Sequence, residues 1–192
     1  SIDIITRIIH ALKLYSRLDQ AKVEEADLHE GIETTLIILQ NQIKHGIEVN
    51  RKYGVLPTIP CYANELNQVW TNIIHNALQA MNRDGILTIE TFLVSPAHGA
   101  NQTFSQDSED EKIVVKISDT GPGIPNEIQD KIFDPYFTTK DQGEGSGLGL
   151  GIAQHIVERH RGEIRVTSKP GETSFEVILP ATGVQEEYLA QS

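Results

Sequence analysis

The stretch Gly145-Ser146-Gly147-Leu148-Gly149-Leu150-Gly151 constrains this chain more than any other, because it runs straight into the helical pattern Ile152-Ala153-Gln154-His155-Ile156-Val157. Glycines at alternate positions leave backbone N–H groups unshielded, and a helix that begins there adds the positive end of its dipole. Such a run can receive a phosphate. It also fits a flexible loop before an ordinary helix. Neither common phosphate fingerprint is present: no Gly-Lys-Ser/Thr follows four variable residues, and the glycine spacing is not that of the dinucleotide turn.

The 192 residues can hold one well-cored domain plus an appendage, and 39% hydrophobic with 22% charged residues is ordinary for a globular chain. The net charge of −11 speaks against a nucleic-acid or anionic-membrane surface, which draws its affinity from clustered Lys and Arg. An anionic small ligand would therefore need a metal ion. Cys61 is the only cysteine, which excludes an intramolecular disulfide and a cysteine-based zinc site and makes a cytoplasmic location the expectation. No apolar run reaches the roughly 18 residues of a membrane span, and no signal peptide is visible.

Along the chain, apolar residues at helical spacing from Ile2 to Tyr15 predict a helix that needs a partner, and polar Arg17 to Ala26 reads as a connector. Asp27 and Glu30 resemble a capping box for a helix to about Lys44, with Ile32, Leu36 and Leu39 on one face. Ile47–Tyr53 and Thr58–Tyr62 read as two edge-type strands. A helix capped by Asn64 runs to Met81, its buried side traced by Leu66, Val69, Ile73, Ile74, Ala77 and Leu78. Strands are predicted at Ile86–Val94 and Lys112–Ser118 around an acidic loop, with a short helix over Pro125–Phe133. A final strand pair, Glu163–Ser168 and Thr173–Leu179, turns at Lys169-Pro170-Gly171. Ala181 to Ser192 reads as a polar tail.

Three stretches can share a ligand with the glycine run. Asn72 and Asn76, four apart on one helix face, offer neutral amide oxygens of the kind magnesium accepts while taking the rest of its shell from water and phosphate. They also fit a solvated face. Asp119, at the end of a buried strand, can accept a hydrogen bond from an exocyclic amine, with Gly121 and Gly123 letting the backbone pass close to a flat base; a strand-ending turn has the same letters. Phe133, Pro135, Tyr136 and Phe137 form an aromatic patch in a loop before the glycines, read as a lid with a hydrophobic latch or as a loop tucked on the core, and Lys140 can reach phosphates from it.

Together these segments resemble sensor histidine kinases: Asn72 to Met81 is similar to the N box, Asp119 to Ile124 to the first glycine box, Phe133 to Lys140 to the F box and Gly145 to Leu150 to the second glycine box, in family order. The resemblance covers about Asp27 to Pro180. It implies a GHKL-type, Bergerat-type ATP-binding fold, an α/β (α+β) two-layer sandwich with a mixed β-sheet and helices on one face, preceded by a partial helical-hairpin helix. The implied domains are 1–26 (end of the second dimerisation helix and linker), 27–180 (ATP-binding catalytic domain) and 181–192 (tail).

The implied cofactors are ATP and Mg2+. By this resemblance Asn76 binds the metal and Asn72 helps hold metal and triphosphate; Asp119 reads adenine, and Gly121, Gly123, Ile124, Phe133, Thr139 and Leu150 shape the site. Thr173 supports the base through water, and Lys140 with Gly145, Ser146, Gly147, Leu148 and Gly149 embraces the phosphates. Asn72, Asn76 and Lys140 are the implied catalytic residues. Two positions depart from the family pattern: Gln79 stands where many relatives are basic, which leaves one phosphate contact either absent or moved to Arg83 or Lys140, and Glu172 stands where glycine is usual, next to the turn before Thr173.

The family's phosphoacceptor histidine is followed by an acidic residue on a dimerising hairpin, and no histidine in this sequence has that setting. His10 precedes Ala11 in an apolar run and is expected to pack in a bundle or to be partly exposed rather than phosphorylated; His155 and His160 are expected on a helix surface. The chain is thus expected to be the catalytic part of a longer kinase, able to bind ATP but not to phosphorylate itself. Its expected partners are the acceptor histidine of its own hairpin, a response-regulator receiver domain and a second copy in a full-length homodimer, with no nucleic acid; a membrane anchor upstream stays open. The alternatives are an ATPase clamp, an anti-sigma-type serine kinase and a non-catalytic nucleotide-binding or dimerisation module.

Overall fold

A computed structural model of the chain describes residues 22–44, 46–95, 110–139 and 147–184. The expected helix over Ile2–Tyr15, with His10, lies outside them. The elements are β1 (Glu24–Ala26), α1 (Leu28–Ile38), α2 (Gln40–Ile43), β2 (Ile47–Tyr53), β3 (Ile59–Cys61), α3 (Ala63–Met81), β4 (Gly85–Val94), β5 (Lys112–Asp119), α4 (Asn126–Gln129), α5 (Gly149–Arg159), β6 (Glu163–Lys169) and β7 (Glu172–Pro180). Among the described residues no helix is long and apolar enough to cross a membrane.

The main sheet has five strands in the order β2-β4-β5-β7-β6. β2 pairs parallel with β4, and the other pairs are antiparallel, so the sheet is mixed as expected. Alternation sets its two faces. Ile89, Ile117 and Phe175 lie side by side in the ladders, as do Thr91, Val115 and Val177, and all point into the core. The opposite face carries Lys52, Glu90, Lys116, Glu176 and Arg165 in one lateral row of alternating charge across all five strands. Within it Lys52 meets Glu90 at 2.7 Å and Lys116 meets Glu176 at 3.7 Å. Exposed pairs of this kind contribute little each but oppose register slips, since a slip of two residues would break the alternation.

α3 and α5 close the other face, α3 over β4 and β5 and α5 beside β6 and β7, with α1 against α3. The predicted apolar side of α3 is buried, joined by the fully enclosed Trp70. α3 ends at Asn82, whose left-handed φ of 47° is a helix-stopping conformation that asparagine tolerates. Asp27 caps α1 through the N–H of His29 at 2.8 Å, as its sequence predicts.

The structure departs from the expected elements where tertiary contacts outweigh local pattern. Glu24–Ala26, polar enough to read as connector, forms a strand because β3 offers a pairing edge. On β3 the Pro60 carbonyl also accepts from the N–H of Val184, so the start of the polar tail is tied down. The helix expected to Lys44 breaks at Leu39. Tyr62, not Asn64, occupies the N-cap of α3, and the helix expected over Pro125–Phe133 keeps only four residues. His155 is exposed as expected, but His160 is buried at 2% exposure: its Nε2 accepts from the Tyr62 N–H at 3.1 Å while Nδ1 donates to the Ile156 carbonyl at 2.7 Å.

The two large helices are antiparallel, and α5 is pinned to α3 at both of its ends. Asn72 of α3 donates to the Gly149 carbonyl at 2.8 Å. At the far end Arg159 meets Glu65 Oε1 at 2.5 Å, while Glu65 Oε2 is buried without a hydrogen-bond partner among the described residues. Burial outweighs the arginine and pushes the Glu65 carboxyl up to about 7. The folded protein therefore retains this proton at pH values where the unfolded chain has released it. Stability from Glu65 is complete below about 4.5 and is lost as pH rises through about 7. Glu65→Gln is expected to remove a fall on the order of 2 kcal/mol between pH 5 and pH 8, read from urea midpoints of variant and parent; parallel curves for the two proteins would contradict it.

Candidate functional site

One end of the core is polar. In the lateral row that ends the helix-facing side, Leu87 is followed by Asp119, Thr173 and Ser168. Above this row lies a cavity of about 600 Å³, bounded by α3, the start of α5 and the segment from Pro122 to Thr139. Ala77, Ala80, Ile132, Phe137 and Phe175 give it apolar walls. Asn72 and Asn76 of α3, Asp119 and Thr173 supply its polar groups, with the backbone at Gly147, Gly149 and Leu150 opposite.

Asp119 is 4% exposed. The Gly121 N–H donates to its Oδ1 at 2.8 Å, but burial dominates and raises the carboxyl above the usual carboxylate range. A carboxylate held in so little water favours a ligand that donates a hydrogen bond to it. Gly121 stands behind the aspartate and leaves no room for a side chain: a Cβ there would lie 2.7 Å from Asp119 Oδ1 and 3.1 Å from Ala80. Gly123 has φ +88°, and a Cβ would collide with the Lys169 carbonyl, so its glycine is required by the approach of this turn to the β6–β7 hairpin. The hairpin itself closes with Gly171 at φ +85° and a Lys169–Glu172 ion pair of 2.7 Å, so Glu172 is accommodated in the first position of β7.

The amide of Asn72 is oriented by its partner. A carbonyl can only accept, so the Asn72 nitrogen faces Gly149 and its oxygen turns the other way. Asn76, one turn on, makes no side-chain hydrogen bond among the described residues. Two neutral amide oxygens with no lysine or arginine among the described lining residues suit a hard cation that arrives with anionic ligands of its own. No side chain caps α5, whose first turn opens beside the cavity with Leu148 at the N-cap position.

The aromatic segment is fastened to the glycine run. The Tyr136 N–H donates to the Gly147 carbonyl at 2.9 Å, and Tyr136 itself has φ +68°. At Gly147, φ is +66° and a Cβ would lie 2.5 Å from the Tyr136 carbonyl carbon; at Gly151 it would lie 2.9 Å from the Phe133 carbonyl oxygen. Phe133 packs edge-on against Phe175, centroids 6.4 Å apart, while Tyr136 is exposed.

Of the predicted site residues, Asn72, Asn76, Asp119, Gly123, Ile124, Thr139, Gly147, Gly149, Leu150 and Thr173 therefore line one cavity. Gly121, Phe133 and Leu148 stand just behind it. Lys140, Gly145 and Ser146 lie outside the described residues, and Arg83 is not among the lining residues. Sequence reasoning missed His75 and Phe175, which line the cavity, and Ser168 and Gln129, which brace it.

Residues 61–183, well over half of the chain, match the family described as histidine kinase-, DNA gyrase B- and HSP90-like ATPase. The chain belongs to this ATPase family. Among its relatives are the signal transduction histidine-protein kinase AtoS of Escherichia coli, 34% identical over 185 residues (93% of this chain, 27% of AtoS), and the sensory histidine kinase/phosphatase NtrB of Vibrio alginolyticus, 34% identical over 164 residues (83% and 44%). The catalytic domain of histidine kinase ThkA, 26% identical, superposes with a TM-score of 0.67 over 83% of this chain and 98% of that domain. ThkA is also known in complex with the response regulator protein TrrA. The chain spans less than half the length of these two curated relatives. ATP is accordingly the ligand class of this ATPase fold.

Gly123→Ala is expected to cost about 1–3 kcal/mol, because a left-handed residue gains a Cβ with no room for it. Urea denaturation of the variant beside Gly171→Ala, where a Cβ meets nothing within 4 Å, separates crowding from backbone strain.

Proposed function

We propose that this chain is the ATP-binding catalytic part of a sensor histidine kinase, which transfers the γ-phosphoryl group of Mg-ATP to a histidine on its own dimerisation hairpin for relay to a response-regulator aspartate. The observation that carries this reading is the position of Asp119, a buried acceptor at one end of a cavity whose other end holds Asn72, Asn76 and the first turn of α5. That spacing fits a nucleotide lengthwise, base at the carboxylate and phosphates at the helix.

In this reading Asp119 accepts the exocyclic amine of adenine, and Thr173 assists beside it. The apolar walls, among them Ile132 and Phe137, enclose the base. Asn76 and the Asn72 oxygen would hold a magnesium ion, which would supply charge neutralisation to the phosphates. The backbone from Gly147 to Leu150, leading into and opening α5, meets the phosphates with N–H groups and a favourable dipole. Lys140, Gly145 and Ser146 would complete this cradle. The protein then contributes position and preorganised charge, the main needs of phosphoryl transfer, while the segment around Phe137 keeps water from the reacting phosphate. An amide at position 72 cannot take a proton from an attacking water, which favours transfer to a protein acceptor over hydrolysis. The acceptor histidine, a receiver domain, a homodimer of the full-length protein and a cytoplasmic setting belong to the same proposal, as do a hairpin-and-linker segment over 1–26 and a catalytic unit over 27–180.

Mg-ATP at about 100 times its Kd should stabilise the 192-residue chain by about 2.7 kcal/mol, seen as a rise of several degrees in Tm. Asn76→Ala should weaken Mg-ATP binding by about tenfold or more while leaving adenosine binding unchanged, and Asp119→Ala should weaken both. An unchanged Tm with Mg-ATP would reject the nucleotide reading. Incubated alone with γ-labelled ATP, the chain should form no acid-labile phosphohistidine; a labelled band would reject the separation of acceptor and catalyst.

A further inference from the structure

Ser168 and Gln129 brace the cavity wall next to Thr173. Ser168 stands opposite Thr173 in the β6–β7 ladder, with its Oγ 2.8 Å from Thr173 Oγ1. The same oxygen accepts from the backbone N–H of Ile124 at 2.8 Å. A hydroxyl has one hydrogen to give. For Ser168 the acceptors in reach are Thr173 Oγ1 at 2.8 Å and the Glu172 carbonyl at 3.4 Å, and either hydroxyl can donate across the 2.8 Å contact. When Ser168 is the donor, Thr173 keeps its own hydrogen for the cavity it lines, beside Asp119 in the adjoining strand.

Gln129 acts from the other side of the same turn. Its amide nitrogen donates to the Ile124 carbonyl at 2.8 Å and to the Ser168 carbonyl at 3.1 Å, with Asn126 Oδ1 also at 3.1 Å. Ile124 is thereby held at both its N–H and its carbonyl, and it too lines the cavity.

We propose that Ser168 and Gln129 are positioning residues for base selection: they fix the Ile124 wall and make Thr173 a hydrogen-bond donor beside the Asp119 acceptor. This rests on the nucleotide reading above. An acceptor next to a donor matches the edge of adenine, where the 6-amino group donates and the neighbouring ring nitrogen accepts, directly or through a water. Guanine presents the reverse pair, a 6-oxo acceptor beside a ring N–H. Remove the Ser168 hydroxyl and Thr173 can turn its hydrogen away or present a lone pair, so both the affinity for adenine and the discrimination against guanine fall.

The test is calorimetric titration of the 192-residue chain with Mg-ATP, Mg-GTP and Mg-tripolyphosphate. Ser168→Ala is expected to lose about tenfold in ATP affinity, to narrow the ATP-over-GTP preference by a similar factor and to bind tripolyphosphate as the parent does. Ser168→Thr, which restores a hydroxyl, is expected to recover ATP affinity and preference together. Gln129→Leu should show the same base-end loss at smaller amplitude, and it carries the test if circular dichroism finds Ser168→Ala unfolded. ATP binding at parental strength in Ser168→Ala, equal losses for ATP and tripolyphosphate, or no recovery in Ser168→Thr would overturn the proposal. A parent chain that binds no ATP would instead overturn the nucleotide reading beneath it.

Discussion

The hydrogen bond from Asn72 to the Gly149 carbonyl is the interaction on which the site's geometry depends. It joins the middle of the longest helix among the described residues to the first residue of another, and it does so where the second helix must begin. The two are closely packed there: a Cβ at Gly149 would be in ordinary van der Waals contact with the Asn72 side chain, 3.5 Å from its Cγ. Move that contact by one turn and the α5 terminus would no longer open onto the cavity. The Glu65–Arg159 pair at the opposite end stops the helices from splaying, so the terminus that opens onto the cavity is aimed by a pair of fastenings rather than by one.

A cost is concentrated at the other end of the cavity. Burying Asp119 disfavours its charged form, and the single backbone donor from Gly121 offsets only part of that. The ladder fixes this residue: Asp119 is the last β5 position, paired with both Leu87 and Thr173, so it cannot swing out to solvent without unpairing the strand. A ligand that donates to the carboxylate recovers part of the solvation lost on folding. Specificity at this place thus follows from stability withheld in the free protein.

Much of this was legible in the sequence because the relevant signals are local. The alternation through Ile113, Val115 and Ile117 and the helical stripe from Leu66 to Met81 each have one solution, and both form. Asn72 and Asn76 share a face by spacing alone. What was not legible depends on partners distant in the chain. Glu24–Ala26 has no strand signal of its own and exists as a strand through Ile59–Cys61. His160 reads as a surface histidine until the Tyr62 backbone, 98 residues away, claims its ring. Ser168 could have been found: the Lys169-Pro170-Gly171 turn fixes a register that sets it opposite Thr173. Gln129 could not, since no pattern in its neighbours announces what its amide reaches.

The glycine run shows why composition alone underdetermined its role. Its alternate glycines were read as bare backbone for an anion, yet Gly147 and Gly151 are also required by protein neighbours, the Tyr136–Phe137 backbone and the Phe133 carbonyl. The two requirements are compatible because Gly147 and Gly151 abut the aromatic segment while the backbone at Gly147, Gly149 and Leu150 also lines the cavity. That arrangement binds the segment around Phe137 to the end of the site where phosphate charge would sit. Any shift of the α5 terminus must pull on Tyr136 through the Gly147 carbonyl, and any shift of the aromatic segment must pull on the terminus. The apolar wall around Phe137 and the cavity-lining backbone at the start of α5 are therefore one mechanical unit, joined through Gly147.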